Sequence, residues 1–202
     1  MARDWSRIAL NLVAWTLLYN VIEAVIALVS GGEAASVALV GFGLDSLIET
    51  AAAAVLLWHL SVERGGADPE RVARAEHRVH RFIGGTFLAL TAYVLAQSGW
   101  TLWRAEEPSE TKVGIALATL SLIIMPAVSL AKLRAAREVG SAALRAEAKE
   151  TLACSYLSLT LLLGLGANAL LGWWWADPVA ALLMCPWLIR EGLEGLRGEE
   201  CC

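Results

Sequence analysis

Residues 36–58 read SVALVGFGLDSLIETAAAAVLLW, an apolar stretch in which Asp45 and Glu49 are the only charged side chains. A helix needs about 20 apolar residues to cross the ~30 Å hydrocarbon core of a bilayer. A charged side chain at the centre of such a helix costs about 2.5–3.5 kcal/mol on insertion scales, so its presence indicates a function. This stretch therefore predicts a membrane-spanning helix with a polar site near its middle.

The rest of the chain repeats this pattern, since 57% of the 202 residues are hydrophobic and the mean hydropathy is +0.58. A soluble domain of this length would carry more charge. Six spans are predicted, at about 8–29, 36–58, 82–103, 112–133, 141–164 and 170–190. Short turns are expected at 30–33, 104–111 and 134–140, and a charged loop at 61–81. The fold class is therefore all-α, a single transmembrane domain over residues 1–202 with no soluble C-terminal domain.

Several function classes are excluded by composition and motif. The formal net charge of −4 argues against a nucleic-acid partner. The first apolar stretch has no small-residue exit site, so no cleavable signal peptide is expected. The four cysteines are too scattered for a disulfide framework. The sequence has no H-E-x-x-H motif and no Ser/His pair at membrane depth, so the chain is not expected to be an enzyme.

The distribution of Lys and Arg predicts the orientation. With the N-terminus in the cytoplasm, the outer set is only Arg104 and Lys112, and Lys149 falls inside the fifth span. The inner set is Arg3, Arg7, Arg64, Arg71, Arg74, Arg78, Arg81, Lys132, Arg134, Arg137, Arg145, Arg190 and Arg197. The chain is thus predicted to be a multi-pass protein of the cell membrane, surrounded by lipid, with both termini in the cytoplasm.

The fifth span repeats the spacing of the second, because Glu150 and Cys154 are also four residues apart. Residues at this spacing share one face of a helix. At about 1.5 Å per residue, Asp45 and Glu150 each lie ~14 Å from the start of their spans, and Glu49 and Cys154 ~20 Å. The two spans run in opposite directions, so all four residues fall in the middle third of the bilayer. We expect them to meet there.

Three carboxylates and one thiolate suit a divalent transition-metal ion. Such a set fits Zn²⁺ or Cd²⁺, with Co²⁺, Fe²⁺ and Mn²⁺ also open. Without metal the acids would take up protons, so the chemistry predicts exchange of metal for protons. The alternative is that these are buried acids satisfied by Lys149 or by Ser and Thr hydroxyl groups. Two pairs at matched depth favour the metal site.

The same residues resemble motifs of the cation diffusion facilitator family. The stretch from Ser36 to Glu49 resembles its second span, and Ser141-Ala-Ala-Leu-Arg-Ala-Glu147-Ala-Lys-Glu150-Thr-Leu-Ala-Cys154 resembles its fifth, usually S-x-A-L-x-A-D-x-x-H-x-x-x-D. Gly172-Trp-Trp-Trp-Ala-Asp177-Pro178 resembles the entry to the sixth span, where Asp177 is expected to cap a helix rather than to bind metal. The likeness covers about residues 8–195.

This resemblance implies export of a divalent metal from the cytoplasm in exchange for protons, by a homodimer that works through alternating access. It places the transport site at Asp45, Glu49, Glu150 and Cys154. The family's usual His and Asp in the fifth span are Glu150 and Cys154 here. Zinc is the first candidate for the transported ion, but the family's preference for zinc cannot simply be transferred to this different set of ligands. The cytoplasmic C-terminal domain of many members is not found, so the spans themselves are expected to form the dimer.

Other polar residues are candidates for supporting roles. Glu23, with Tyr19 and Asn20 nearby, and Glu147 are candidates for the pathway or for a proton relay; hydrogen bonding between helices is the alternative for Glu23. Weaker candidates for accessory metal binding are His77, His80, Asp68, Cys201 and Cys202. For the two histidines a solvated basic segment is the favoured interpretation.

A second function stays open on the sequence alone, namely exchange of a small organic cation or drug for protons. Buried carboxylates bind an organic cation as well as a metal. Cys154 favours the metal, since a thiol adds little to the binding of an organic cation.

Overall fold

The computed structural model describes residues 4–64, 69–109 and 111–197, and every regular element in these ranges is an α-helix. The all-α fold class predicted from the sequence is confirmed. The six helices are α1 (Trp5–Ala34), α2 (Val37–Arg64), α3 (Pro69–Arg104), α4 (Lys112–Val139), α5 (Ala142–Leu171) and α6 (Ala176–Arg197).

Four helices form a closed ring and two form a pair beside it. In the ring α1 packs on α2, α2 on α5, α5 on α4, and α4 on α1. Outside the ring α3 and α6 pack on each other, α3 also contacting α2 and α6 contacting both α2 and α5. This topology makes α2 and α5, the helices that carry the four predicted metal ligands, direct neighbours. The inner end of the bundle is defined as the end at which α1 and α5 begin, and the outer end as the one where they finish.

Length and apolar composition qualify four of the described helices to cross a membrane. They are the four helices of the ring, through the segments Trp5–Ala34, Val37–Trp58, Lys112–Val139 and Glu147–Leu171. α3 and α6 are not among them in the described part of the chain. These two helices make their most extensive packing contacts with each other.

The first turn lies later in the chain than the sequence predicts. Residues 30–33 are still helical, and the chain turns at Ala35, whose φ is 53°. Gly31 therefore lies inside α1 and not in the predicted turn at 30–33. A Cβ atom on Gly31 would lie 2.9 Å from the backbone nitrogen of Val40, so glycine lets α1 and α2 approach closely.

The charged loop predicted at 61–81 is wrong for most of its length, because α2 continues to Arg64 and α3 begins at Pro69. Proline is well suited to the first turn of a helix, where its missing N–H has no acceptor in any case. The predicted turn at 134–140 is also helical as far as Val139, and Gly140 ends α4 with a φ of 74°. Charged residues end the hydrophobic stretch here without ending the helix.

At the outer end, buried hydrogen bonds join several elements. The Asp177 carboxylate accepts from the Ser36 hydroxyl at 2.5 Å and from the Val37 amide at 2.8 Å. Asp177 therefore caps the start of α2, although it lies in the first turn of α6. The Asn168 amide donates to the Pro108 carbonyl at 2.9 Å, and the Ser109 amide to the Ala34 carbonyl at 2.8 Å.

Candidate metal site

The centre of the ring holds three potential metal ligands, Asp45 and Glu49 from α2 and Cys154 from α5. One ligand atom from each lies within 4.8 Å of the others, and all three residues are buried. We call these three residues the triad. The four-residue spacing places both acids on one face of α2, and the contact between α2 and α5 turns that face toward Cys154.

The triad combines two oxygen donors with one sulfur donor in an apolar core. Cys154 belongs to a cluster of buried residues that includes Phe42, Leu157 and Leu161. A carboxylate in such surroundings is stable only when a cation, a proton or hydrogen bonds compensate its charge. The mixture of carboxylate and thiolate is typical of sites for Zn²⁺ and similar ions.

Glu49 is held from α1. The Asn20 side-chain nitrogen donates to its Oε2 atom at 2.9 Å, and both residues are buried. An amide that donates through its nitrogen turns its oxygen the other way. The Asn20 Oδ1 atom is buried and has no hydrogen-bond partner among the described residues.

Glu23 lies one turn further along α1 and is 1% exposed. Its Oε2 atom is 3.0 Å from the Ser46 hydroxyl of α2. Its Oε1 atom, the Tyr19 hydroxyl and the Ser121 hydroxyl are all buried, and none has a hydrogen-bond partner within the described part of the chain. Tyr19 also stacks on Trp15, with ring centroids 5.4 Å apart. These oxygens form a polar layer beside the triad.

Glu150, the fourth ligand predicted from the sequence, is not among the residues whose ligand atoms converge at the triad. It lines a neighbouring pocket on the inner side, together with Asn20, Glu49, Glu147 and Thr151. Glu49 borders both the triad and this pocket. Glu150 can therefore join the triad only if its side chain or α5 moves.

The buried cation near these acids is Lys132 of α4, and not Lys149. Its ammonium lies 2.5 Å from Glu147 Oε1 and 3.0 Å from the Thr151 hydroxyl, and its side chain is 0% exposed. The sequence predicted Lys132 among the cytoplasmic charges, because the fourth span was expected to end at residue 133. The longer α4 carries Lys132 inside the bundle, whereas Lys149 lies at the surface.

The weaker metal-binding candidates fall on residues or side chains that the structure does not describe. Asp68, Cys201 and Cys202 are outside the described residues, and the side chains of His77 and His80 are outside the described side chains. Their accessory role stays a prediction.

Residues 13–197 match the family model described as the cation efflux transmembrane domain. The chain belongs to the cation efflux family. The resemblance to cation diffusion facilitators is thereby confirmed, and so is the expectation of a transporter rather than an enzyme. The matched domain and these membrane-length helices together identify a membrane protein.

A relative in Synechocystis sp. is named an uncharacterized transporter. It is 28% identical over 151 residues, which are 73% of this chain and 48% of the relative. The chain thus spans about half the length of the curated relative it matches. That similarity agrees with the family but says nothing of the ion.

Sequence reasoning missed Lys132, Thr151 and Ser46 as neighbours of the buried acids. Two of the three had a signal in the sequence. Ser46 follows Asp45 directly, and Thr151 is one turn after Glu147 on α5. Lys132 had none, because only the packing of α4 on α5 shows which way it points.

Proposed function

We propose that this cation efflux protein exports a divalent transition metal, zinc or an ion of similar chemistry, from the cytoplasm in exchange for protons. Asp45, Glu49 and Cys154 bind the ion, and Glu150 joins them during the transport cycle. The protein works by alternating access as a homodimer in the cell membrane, with both termini in the cytoplasm. The observation that carries this proposal is the convergence of three buried ligand atoms within 4.8 Å.

The donor set supports a metal ion as the substrate. Three anionic ligands in an apolar core leave a charge that a divalent cation compensates directly. When the ion leaves, protons are the natural replacement, because carboxylates and thiolates packed this closely repel one another. Glu23, with Tyr19 and Ser121 beside it, is the proposed route for those protons.

The direction of transport rests on the predicted orientation. Moving Lys132 from the cytoplasmic loops into the bundle reduces the inner set of Lys and Arg residues by one, and Arg104 and Lys112 are still the whole outer set. The positive-inside rule then gives the same result. The pocket lined by Asn20, Glu147 and Glu150 lies on the inner side of the triad, where an ion from the cytoplasm would arrive.

Exchange of an organic cation for protons is the second candidate, supported by the same buried acids. It gives Cys154 no role, since a thiol contributes little to binding such a cation.

The binding test uses Co²⁺, because a cobalt ion bound to a thiolate shows a charge-transfer absorption that oxygen ligands do not give. We expect this band in the wild type and its loss in Cys154→Ser, and we expect Asp45→Ala and Glu150→Ala to abolish Co²⁺ binding at the triad. The matched control is Glu138→Gln, an exposed acid of α4. A wild type without the band would remove Cys154 from the site, and unchanged affinity in Asp45→Ala and Glu150→Ala would refute the assignment of the acids.

The transport test uses proteoliposomes with a pH-sensitive dye inside. We expect Zn²⁺, Cd²⁺ or Co²⁺ on one side to drive protons in the opposite direction, and Asp45→Ala to stop it. Failure of Zn²⁺, Cd²⁺, Co²⁺, Fe²⁺ and Mn²⁺ alike to move protons, with an organic cation succeeding, would establish the second candidate instead.

A further inference from the structure

The pocket on the inner side of the triad contains two buried oxygen atoms that nothing in the described structure satisfies. They are Asn20 Oδ1 and Glu147 Oε2, and neither has a hydrogen-bond donor within reach among the described residues. Asn20 is 1% exposed and Glu147 is 8% exposed, and both side chains line the pocket. Buried acceptors without partners are rare in folded proteins, and each one requires an explanation.

The orientation of both oxygens is fixed by bonds on the other side of each group. Asn20 donates its side-chain nitrogen to Glu49, which turns Oδ1 away from that bond. Glu147 uses Oε1 to accept from Lys132, which leaves Oε2 as the unsatisfied atom. Lys132, from α4, also donates to Thr151 of α5, so two contacts with α5 fix the position of its ammonium group. Two separate contacts thus leave two free acceptors in one pocket.

The formal charges of this pocket match a divalent cation. Glu49, Glu147 and Glu150 contribute three carboxylates, and the Lys132 ammonium compensates one of them. Two negative charges are left when all these groups are ionised. Every ligand group in the pocket is an oxygen, from carboxylates, the Asn20 amide or the Thr151 hydroxyl, and this is the set that hard cations prefer.

We infer that Asn20, Glu147 and Glu150 form a second cation site, an inner station that binds a divalent ion through oxygen atoms before it reaches the triad. Lys132 is its positioning residue, because it holds Glu147 without contacting the ion. Glu49 borders both sites and passes the ion from one to the other. The inference rests on the proposed function, since it names a step on the way to the same triad.

The station and the triad differ in chemistry, and this makes them separable. The triad includes the Cys154 sulfur and favours softer ions, whereas the station has oxygen ligands alone. Mn²⁺ is therefore the probe for the station, and Co²⁺, through its thiolate band, is the probe for the triad.

The experiment measures Mn²⁺ binding to the full chain in which the triad has been removed by Asp45→Asn with Cys154→Ala. We expect one Mn²⁺ per chain by calorimetry or by the spin-resonance signal of the free ion. Adding Glu147→Gln should weaken this binding about tenfold or more, because one ionic ligand is lost while an amide oxygen is kept for Lys132. Adding Asn20→Leu should weaken it as well, through a residue of a different helix.

Glu138→Gln on the same background is the control and should leave Mn²⁺ affinity unchanged. Thermal unfolding of every variant establishes that the protein is folded. A folded triad-less protein that binds no Mn²⁺ would mean that the pocket is not a cation site, and the inference would be wrong. Binding that neither Glu147→Gln nor Asn20→Leu weakens would place the ion elsewhere and overturn it equally.

The result is also distinct from a failure of the proposed function. Glu147→Gln in the otherwise wild-type protein should keep the cobalt–thiolate band, because the triad is intact. If the band is present and no second ion binds, only the inner station is refuted. If the wild type has no band, the triad itself is in question.

Discussion

Two buried acids at opposite ends of the bundle differ in how they are satisfied. Asp177, at the outer end, is 0% exposed and accepts hydrogen bonds from Ser36, Val37 and Ala38. Glu147, toward the inner end, is almost as buried, but one of its oxygens pairs with Lys132 and the other has no partner in the described structure. The protein therefore has the means to satisfy a buried carboxylate fully, and of these two acids only Asp177 is satisfied in this way.

This difference separates a structural acid from the acids that we propose for the transport pathway. A carboxylate that accepts from two backbone amides and a hydroxyl needs no ion, and it fixes α2 against α6. Acids whose oxygens face a pocket or converge on a thiol leave charge for a ligand to compensate. Burial and charge alone do not distinguish the two kinds, whereas the hydrogen-bond partners do.

Removing the Lys132 side chain should cause the largest loss of stability. Lys132→Met leaves Glu147 as an uncompensated buried charge, which costs about 3–5 kcal/mol when one member of a buried ion pair is lost. Thermal unfolding in detergent should show a large drop in the midpoint. The double variant Lys132→Met with Glu147→Gln should recover much of it, and no recovery would show that the two side chains are not paired.

Removing the Asp177 carboxylate, at the outer end, should lower the stability of the protein by a comparable or smaller amount. Asp177→Ala leaves a hydroxyl and the amides at the start of α2 without their acceptor, and each unsatisfied buried group costs about 1–3 kcal/mol. Unfolding measurements should show the loss, and Asp177→Asn should show less of it because one acceptor oxygen is kept.

Metal affinity is the second readout for Asp177. Folded Asp177→Ala protein should bind Co²⁺ with unchanged affinity and an unchanged thiolate band. Loss of the band would mean that Asp177 acts on the site and is not purely structural.

A smaller steric effect is expected where α5 crosses α6 beside Asp177. A Cβ atom on Gly164 would lie 2.5 Å from the Ala180 Cβ atom, so Gly164→Ala should destabilise the protein by about 1–3 kcal/mol. Gly166, on the same helix, has nothing within 4 Å of its added Cβ. Gly166→Ala is the matched control and should be neutral or slightly stabilising, and equal losses in both variants would argue against this packing.

The smallest expected change concerns ion preference within the triad. Cys154→Asp replaces the sulfur with oxygen and should keep transport while shifting preference from Cd²⁺ toward Mn²⁺, by about tenfold for ~1.4 kcal/mol. The ratio of Cd²⁺ to Mn²⁺ transport in proteoliposomes measures this shift. An unaltered ratio would show that Cys154 does not coordinate the ion.

Much of the fold could be predicted from the sequence because hydrophobic length and spacing are local properties. The apolar stretches placed all six helices, and the spacing of Asp45 and Glu49 placed both on one face of α2. Helix ends were predicted less well, because each helix was expected to end where its apolar stretch ends. Arg64 and Val139 show that the helices run on, as helix formation needs only backbone hydrogen bonds and permissive side chains.

Which residues meet in the site depends on more than how deep each residue lies in the membrane. Matched depth was the right argument for bringing Asp45, Glu49 and Cys154 together, but depth does not specify rotation about a helix axis. Glu150 has a suitable depth and lines the inner pocket beside the triad. Its predicted role as a ligand of the same ion is still to be tested.

The sequence by itself determined the helical membrane fold, the family and the residue types of the site, since hydropathy and spacing along one chain carry this information. The tertiary structure decided which buried acids are satisfied. Lys132 reaches Glu147 only because α4 packs on α5, and Asp177 reaches the start of α2 only because α6 packs on α2. Hydrogen bonds and ion pairs between helices depend on how the helices are rotated and packed, and no single stretch of sequence contains that arrangement.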